Sequence, residues 1–377
     1  MHRIPTAQAE LPPEMIDFGV GQPDFDILPL EIVRRAAAER LAAGDTTLLN
    51  YGYEQGDGYF RLALADFLTR GYAMPVDADS LLVTAGASQT LDMLCTLYTQ
   101  PGDVILVEEP TYFIALRIFA DHRLRVVGVP TDAHGLRMDA LEDAVVEHRP
   151  ALVYVIPSFQ NPTGATLPED RRRQLADLSR RHGFTVVADE VYQLLGYTET
   201  PPAPMAAYLD RGNIVSVGSF SKILAPGLRL GWLQAPPAVI KRLVNGGLIF
   251  SGGSLNHFTS NIVRVALERG WQDEYLAELH ALYRTRIDVL DAALRAELGE
   301  RVRYTKPTGG YFFWLRLPEG VDAAALRAQA QARNVDFRPG INFSGNDGLH
   351  NYLRLSFAFY DAARLEEGAR RLGQVLG

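Results

Sequence analysis

From residue 81 onward, short apolar runs alternate with segments that have the periodicity of amphipathic helices. The runs are rich in valine and apolar on both faces, which is typical of parallel strands covered by helices on both sides. We predict strands at residues 81–84, 104–107, 124–129, 151–156, 184–188, 214–217 and 228–234. This alternation restricts the fold to the α/β class and favours a three-layer αβα domain with a mainly parallel sheet.

The C-terminal part of the chain predicts a second, smaller α/β domain. A long amphipathic helix at residues 273–297 links the two parts, because its apolar residues recur with helical spacing. Beyond it we predict strands at 301–304, 310–317 and 352–357 and helices at 323–333 and 361–376. Since 377 residues are many for one simple core, we divide the chain into three parts. These are an N-terminal segment and helix at 1–44 that packs with the small domain, a large domain at 45–275 and a small domain at 276–377.

Composition and charge argue against several classes of protein. A net charge of −8 and a pI near 5.6 disfavour a nucleic-acid-binding surface, which needs a concentrated basic face. Cys95 is the only cysteine and the histidines show no metal-binding spacing, so we expect neither disulfides nor a metal. No apolar run approaches the length of a membrane span, and residues 1–13 lack a signal-peptide pattern. We therefore expect a cytoplasmic protein that binds neither nucleic acid nor membranes.

One lysine lies in a turn of small residues between two predicted strands. Lys222 is one of only three lysines, with Lys241 and Lys306, whereas the other positively charged residues are arginines. Arginine cannot form a Schiff base, because its guanidinium does not lose its proton in proteins. Lys222 is therefore a candidate for amine chemistry, and a solvated loop lysine is the alternative. The stretch also fits Ser-x-x-Lys with Ser219 as an acylated nucleophile, but the Ser-Asp-Asn and Lys-Thr-Gly partners of that motif do not occur.

Polar and small residues follow the carboxyl ends of several predicted strands, where an open α/β sheet gathers its ligands. After the first strand, residues 86–89 lead into a helix, so free backbone N–H groups and the helix dipole favour an anion such as phosphate. A plain N-cap by Ser88 is the alternative. Later strand ends add an aromatic ring, an amide, a carboxylate, a phenol, two hydroxyls, a lysine and an arginine. The candidate residues are Gly86, Ala87, Ser88, Gln89, Tyr112, Asn161, Asp189, Tyr192, Ser219, Ser221, Lys222 and Arg229.

A pyridine aldehyde phosphate accounts for all of these groups together. Lys222 would form a Schiff base with the aldehyde, and Asp189 would keep the ring nitrogen protonated so that the ring accepts electrons. The amide and the phenol would bind the ring oxygen, Tyr112 would stack on the ring, and the arginine would hold the phosphate with the backbone amides. A nicotinamide cofactor explains less, because no Gly-x-Gly-x-x-Gly follows any strand and the lysine and the carboxylate would have no role.

The chain resembles the pyridoxal-phosphate-dependent aminotransferases of fold type I, class I/II, from about Asp17 to its C-terminus. The motifs that carry the resemblance occur in the family's order and are Asn161-Pro162-Thr163-Gly164, Asp189-Glu190-Val191-Tyr192, Ser219-Phe220-Ser221-Lys222 and Arg229. Residues 153–164 and 218–229 look most like the 2-aminoadipate/kynurenine aminotransferase branch. Two departures are Ala87, where that branch commonly has serine, and Val-Ala-Asp-Glu-Val-Tyr, where it often has Asp-Asp-Pro-Tyr.

The resemblance implies a fold type I architecture with pyridoxal 5′-phosphate as cofactor. Lys222 would hold the cofactor and carry a proton between the substrate Cα and the cofactor, and Asp189 would pair with the ring nitrogen. Asn161 and Tyr192 would bind the ring O3′, and Tyr112 would stack on the ring. Lys222, Asp189 and Tyr192 would thus be the catalytic residues. The residues around the phosphate would be Gly86, Ala87, Ser88, Gln89, Ser219, Ser221 and Arg229.

The resemblance also implies how substrate and a second subunit would contribute. Arg354 matches the family arginine that takes the substrate α-carboxylate as a bidentate pair, with Gly21 and Asn161 beside that carboxylate. Tyr51 matches a tyrosine that reaches the neighbouring subunit's site and would also contact the cofactor. This implies a homodimer with shared active sites.

Together these features predict an aminotransferase with a ping-pong mechanism. An amino acid would give its amino group to the cofactor, which alternates between pyridoxal and pyridoxamine phosphate, and a 2-oxo acid, 2-oxoglutarate, would then receive it. One alternative is another reaction of the same cofactor, such as β-elimination, because small differences in a pocket select the bond that breaks. The other is a non-catalytic effector-binding core of a regulator, which would need a DNA-binding segment before residue 17.

Overall fold

The computed structural model describes residues 8–9 and 11–376, so residues 1–7 and 10 of the predicted N-terminal segment and residue 377 of the predicted small domain lie outside it. The α-helices in the described residues are α1 (Leu30–Ala42), α2 (Gly58–Tyr72), α3 (Ala87–Tyr98), α4 (Phe113–Asp121), α5 (Met138–His148), α6 (Glu169–His182), α7 (Pro237–Val244), α8 (Gly247–Gly252), α9 (His257–Glu268), α10 (Trp271–Leu298), α11 (Ala323–Gln331) and α12 (Ala362–Gly373). The strands are β1 (Ile16–Asp17), β2 (Leu81–Thr84), β3 (Val104–Glu109), β4 (Arg125–Asp132), β5 (Gly135–Leu136), β6 (Leu152–Val155), β7 (Thr185–Asp189), β8 (Ile214–Ser219), β9 (Gly231–Gln234), β10 (Phe312–Arg316), β11 (Val335–Asp336), β12 (Arg338–Pro339) and β13 (Tyr352–Ser356).

An eight-stranded sheet forms the centre of the molecule, with the strand order β2-β9-β8-β7-β6-β3-β4-β5. The strands β4, β3, β6, β7 and β8 pair in parallel, whereas β9 runs antiparallel to both β2 and β8, and β5 runs antiparallel to β4. Because β9 reverses between them, β2 and β8 run in the same direction. The prediction of an α/β fold with a mainly parallel sheet is therefore confirmed.

Both faces of the central sheet are buried, which explains why its strands lack polar alternation. In β3, Leu106 packs with Val153 and Val186 on one face, while Ile105 and Val107 belong to the core on the other face. Helices cover each face and remove this apolar surface from water, which is the main driving force for the fold. The carboxyl ends of β2, β3, β6, β7 and β8 consequently open along one common edge.

The C-terminal part contains a smaller antiparallel sheet with the order β10-β13-β12, and two of the predicted strands, one there and one in the central sheet, need correction. The predicted strand at 301–304 is wrong: Gly299 has a left-handed φ of 52° that ends α10, and of that stretch Arg303 alone forms an isolated bridge, with Arg316. The predicted strand at 228–234 begins only at Gly231, because Pro226–Leu228 forms a 3-10 turn. Arg229 therefore lies in the turn before β9, with a left-handed φ of 46°.

The N-terminal segment contacts two separate parts of the chain. Strand β1 pairs with β11 through Ile16 and Val335, whereas α1 packs on α9 through Ala36 and Val265. Helix α10 crosses the predicted boundary between 275 and 276 without a break. The three-part division itself stays a prediction. No helix in the described part of the chain is long and apolar enough to cross a membrane.

Candidate active site

The predicted site residues gather at the common edge of the central sheet. Asp189 is the last residue of β7 and Ser219 is the last residue of β8, so both side chains emerge where their strands end. Gly86 follows β2, Tyr112 follows β3 and Asn161 follows β6. Residues that lie far apart in the sequence thus meet at one rim, as expected for ligand sites of open α/β sheets.

Lys222 lies in the turn after β8 and is half-buried. Its Nζ donates a hydrogen bond of 2.7 Å to the Gly21 carbonyl, and the Tyr311 ring centre is 5.4 Å away. Burial and, after it, the positive charge of Arg354 lower the pKa of the Lys222 ammonium to about 8, while the charge of Asp189 opposes the shift. Near neutral pH a useful fraction of Lys222 is therefore the neutral, nucleophilic amine.

Asp189 is buried, and one of its two carboxylate oxygens has a partner. The Tyr154 hydroxyl donates a hydrogen bond of 2.7 Å to Oδ2, whereas Oδ1 is buried and accepts none from the described residues. Burial raises the pKa of the Asp189 carboxyl to about 6, although the Tyr154 hydroxyl and the nearby Val191 N–H, which lies outside hydrogen-bond geometry, both lower it. A buried acceptor without a donor is costly, so Oδ1 is suited to a ligand that brings a proton.

Arg354 joins three parts of the site. Its Nη1 donates to Asn161 Oδ1 at 3.0 Å, and its Nη2 donates to the Gly19 carbonyl at 2.7 Å. Its guanidinium carbon lies 4.0 Å from the ring centre of Phe312. Burial lowers the pKa of Arg354 to about 9, so the group keeps its positive charge at neutral pH. A buried arginine of this kind is a strong carboxylate-binding group.

The three predicted tyrosines have different positions. Tyr192 is buried against Tyr311 and Phe312, and burial raises the pKa of its phenol well above the usual value. Tyr112 precedes α4, and burial followed by the charge of Asp189 raises its pKa to about 12. Both phenols therefore stay protonated at neutral pH and can donate hydrogen bonds. Tyr51 is 82% exposed, and the structure does not bring it to the other site residues.

The predicted phosphate-binding turn is built around Gly86. This residue precedes α3 with a φ of +94°, and a Cβ added to it would lie 3.1 Å from Nη2 of Arg229. Ala87 is the first helical residue, so the amides of the first turn have no partner within the helix. Ser88 is exposed, and Gln89 Oε1 accepts a hydrogen bond of 2.6 Å from the Ala85 N–H.

Hydroxyl groups and an arginine complete the turn. Ser219 Oγ donates to Ser221 Oγ at 2.9 Å and accepts from the Ser221 N–H at 3.1 Å. Arg229 is exposed and donates through Nη2 to the Ala85 carbonyl at 3.2 Å. The sheet register explains this proximity, because Gly231 pairs with both Thr84 and Ser219. Free amides, hydroxyls and a guanidinium in one place are suited to a phosphate.

Comparison with known proteins assigns the chain to a family. The model of the aminotransferases of class I and II matches residues 13–372. The chain belongs to this family. Its relative aromatic-amino-acid aminotransferase 1 of Thermococcus litoralis is 33% identical over 368 residues, which cover 96% of this chain and 88% of that protein.

Two solved aminotransferases are similar in structure. One is LysN of Thermus thermophilus, an α-aminoadipate aminotransferase complexed with N-(5′-phosphopyridoxyl)-L-leucine, with 33% identity, a TM-score of 0.88 and coverage of 97% and 92% of the two chains. The other is the kynurenine aminotransferase of Pyrococcus horikoshii in complex with PMP, KYN and KYA, with 30% identity, a TM-score of 0.90 and coverage of 96% and 91%. The predicted family and branch, the fold type I architecture and the enzyme class are confirmed.

Pyridoxal 5′-phosphate is the cofactor of this aminotransferase, as predicted. Two features of the described residues show that the site fits this cofactor. Asp189 Oδ1 is a buried acceptor that needs a donor such as a protonated ring nitrogen. The amides after Gly86 and the guanidinium of Arg229 lie together where a phosphate would need them.

Sequence reasoning missed several residues of the site. Tyr154, which binds Asp189, lies within a valine-rich strand, where a tyrosine is more simply explained as core. Gly19 and Phe312, which hold Arg354, come from a loop and from another sheet. Tyr154 could have been found from its polar hydroxyl in a strand that is otherwise fully apolar, because buried hydroxyls need partners.

Proposed function

We propose that this aminotransferase moves an amino group from a donor amino acid to 2-oxoglutarate in two successive half-reactions of a ping-pong cycle. The observation that carries the proposal is that an amine and a carboxylate at the same edge of the sheet have pKa values shifted in opposite directions. The pKa of Lys222 is lowered to about 8, and the pKa of Asp189 is raised to about 6. Such opposed shifts are typical of acid–base sites.

Lys222 is the proposed proton carrier. When bound, pyridoxal phosphate supplies an electron-withdrawing ring, which weakens the bond between the substrate Cα and its hydrogen. The neutral Lys222 amine would take that proton and later return it to the cofactor carbon that receives the amino group. Its hydrogen bond to the Gly21 carbonyl, 2.7 Å long, holds Nζ on the side where the substrate is expected. A pKa near 8 suits an amine that both accepts and donates protons near neutral pH.

Asp189 is proposed to hold a proton on the cofactor ring through Oδ1. Tyr154 supports this role, because its hydroxyl bonds Oδ2 at 2.7 Å and fixes the carboxylate plane. Tyr192 and Asn161 are proposed to bind the ring oxygen, and Tyr112 to stack on the ring. The proposed phosphate ligands are Gly86, Ala87, Ser88, Gln89, Ser219, Ser221 and Arg229.

Arg354 is the proposed partner of the substrate α-carboxylate. Its buried guanidinium is positively charged and is already oriented by Asn161 and the Gly19 carbonyl. A carboxylate is a better partner than a neutral carbonyl, because it adds the attraction of opposite charges and can accept two parallel hydrogen bonds from the guanidinium. Gly21 lies beside it, and a Cβ there would lie 3.4 Å from Arg354 Nη2. A Cβ there would also lie 3.2 Å from the Phe312 ring, so glycine lets this loop lie close to both side chains.

A homodimer and a cytoplasmic location complete the proposal. Tyr51 borders an open pocket of about 570 Å³ together with Leu49, Leu248 and Phe258, all of which are exposed. A group of exposed large apolar side chains is typical of a protein interface. Association through this face would cover it and would bring Tyr51 towards the partner's site.

The test is a donor screen with the cofactor-loaded protein. Purified protein is incubated with 2-oxoglutarate and each of a set of aromatic, branched-chain, acidic and 2-aminoadipate donors, and glutamate is measured. Lys222→Ala should abolish glutamate formation, whereas Lys241→Ala, which changes an exposed lysine, should not. Each half-reaction should also proceed alone with a single substrate.

Other outcomes would replace the proposal. Pyruvate and ammonia released without an acceptor would indicate β-elimination. Cofactor binding without turnover of any amino acid would instead support an effector-binding core. A requirement for both substrates to be present before either product appears would contradict the ping-pong order.

A further inference from the structure

A second arginine lies directly opposite Arg354 on the small sheet. Strands β12 and β13 are antiparallel, and their register pairs Arg338 with Arg354. Residues directly opposite each other in an antiparallel pair project from the same face, with their Cβ atoms close together. Arg338 therefore faces the same side as the arginine proposed to bind the substrate carboxylate.

Both guanidinium groups lie beside one aromatic ring. The guanidinium carbon of Arg338 is 5.2 Å from the ring centre of Phe113, and that of Arg354 is 6.0 Å from the same centre. The positive charge of Arg338 lowers the pKa of Arg354, after the larger effect of burial. Like charges opposite each other on a sheet are unfavourable unless an anion binds them.

Arg338 has no counter-ion among residues 8–9 and 11–376. It is half-buried, makes no ion pair within 4.0 Å there, and its Nε is buried without an acceptor. The charges of Asp17 and Arg338 interact, but Asp17 accepts the Gly19 N–H at 2.7 Å and makes no ion pair with Arg338. Asp336 pairs with Arg327 at 2.7 Å. A guanidinium whose N–H donors have no acceptor is suited to bidentate hydrogen bonding with a carboxylate.

The backbone of Gly19 lies beside both arginines. Gly19 accepts the Arg354 hydrogen bond, and a Cβ added to it would lie 3.6 Å from Nε of Arg338. A Cβ at Gly19 would also lie 2.8 Å from Asp17 Oδ1, so glycine lets this loop pack closely between the two arginines. Because the two arginines project from the same face of the sheet, a short diacid that binds Arg354 with one carboxylate can direct the other towards Arg338.

We propose that Arg338 binds the second carboxylate of a dicarboxylic substrate whose α-carboxylate is held by Arg354. This inference rests on the proposed function of Arg354 and extends it to the substrate class. It assigns acidic amino acids, and the 2-oxo diacid that accepts the amino group, to this site. Arg338 is thus a specificity residue that contacts the distal end of the substrate.

The first test measures binding of unreactive ligands, which separates recognition from turnover. Glutarate and pentanoate have the same carbon chain, but only glutarate carries a second carboxylate. Calorimetric titration of the holoenzyme should show that Arg338→Gln weakens glutarate binding about ten- to a hundredfold, the usual effect of losing a charged hydrogen bond. Pentanoate binding should change less than about threefold, and Arg338→Lys should retain part of the glutarate affinity.

The second test measures single half-reactions with glutamate and with norvaline, which again differ by one carboxylate. Arg338→Gln should raise KM for glutamate with little change in kcat, and should leave norvaline unchanged. Arg333→Gln is the matched control, because Arg333 is exposed on the same segment and its side chain, within the described residues, bonds only the Gln329 carbonyl. Thermal melting shows whether each variant is folded. If Arg338→Gln is unfolded, the same measurements are made with Arg338→Lys.

The outcomes separate this inference from the proposed function. Equal losses for glutarate and pentanoate would overturn it and make Arg338 a residue that merely positions Arg354. Unchanged glutarate binding in both variants would also overturn it. Selective loss of glutarate binding in a protein that transfers no amino group would support the role of Arg338 and reject the transamination proposal.

Discussion

The protonation of Asp189 predicts how the stability of the cofactor-free protein depends on pH. Burial raises the pKa of this carboxyl to about 6, compared with about 3.9 in an unfolded chain. Between these values the folded state binds more protons than the unfolded state, so the free energy of unfolding falls as pH rises. The contribution of protonated Asp189 to the free energy of unfolding is therefore fully present below about pH 4 and is lost as pH rises through about 6.

The magnitude follows from the size of the shift. Two pKa units at about 1.4 kcal/mol each correspond to about 3 kcal/mol in total, of which about 1 kcal/mol falls between pH 5 and pH 7. Asp189→Asn removes the titration while keeping the shape of the side chain and an oxygen for the Tyr154 hydroxyl. We expect the difference in unfolding free energy between variant and wild type to shift by about 1 kcal/mol in favour of the variant over this range.

Urea unfolding at fixed protein concentration, followed at several pH values, provides the measurement. Glu108, whose pKa burial raises to about 8, titrates in both proteins, so its effect cancels in the difference. Bound cofactor should make this difference in unfolding free energy depend less on pH, because a cationic ring nitrogen beside Oδ1 favours ionised Asp189. A difference that stays constant from pH 4 to pH 7 without cofactor would refute the reasoning.

Three further predictions concern the cofactor. Lys222→Ala should abolish turnover and the visible absorbance that borohydride fixes, whereas Lys241→Ala should change neither; absorbance spectra and an activity assay check both. The rate at which the cofactor-free protein captures the cofactor should rise with pH around an apparent pKa near 8, because neutral Lys222 is the nucleophile, and a flat profile would contradict this. Gly86→Ala should weaken cofactor binding at least about tenfold in a fluorescence titration, because its φ of +94° and the 3.1 Å approach to Arg229 oppose a Cβ; an unchanged Kd would show that the turn tolerates the methyl group.

Much of the fold and site could be predicted because the relevant signals are local. Valine-rich runs predict buried strands, and the residues that follow them predict what lies at the sheet edge. Asp189 and Ser219 indeed end β7 and β8, and Lys222 follows at once. No knowledge of strand order was needed, since every parallel strand opens at the same edge.

What could not be predicted depends on register between distant segments. Tyr154 reaches Asp189 because β6 and β7 pair Tyr154 with Val187, two residues before the carboxylate. Arg338 opposes Arg354 through β12, which is only two residues long and carries no recognisable strand pattern. The role of Tyr51 still rests on family resemblance, because a tyrosine that is 82% exposed gives no local signal of its partner.

One loop holds both cations on which the proposed chemistry depends. Gly21 accepts the hydrogen bond of Lys222, and Gly19 accepts that of Arg354, each at 2.7 Å. These carbonyls accept hydrogen bonds without neutralising the charge of either cation, so the electrostatic attraction for a carboxylate remains. A substrate carboxylate that binds Arg354 therefore displaces a neutral acceptor and gains an ion pair. Binding of the substrate carboxylate at Arg354 would therefore replace the bond to Gly19, in the same loop whose Gly21 carbonyl accepts from Lys222.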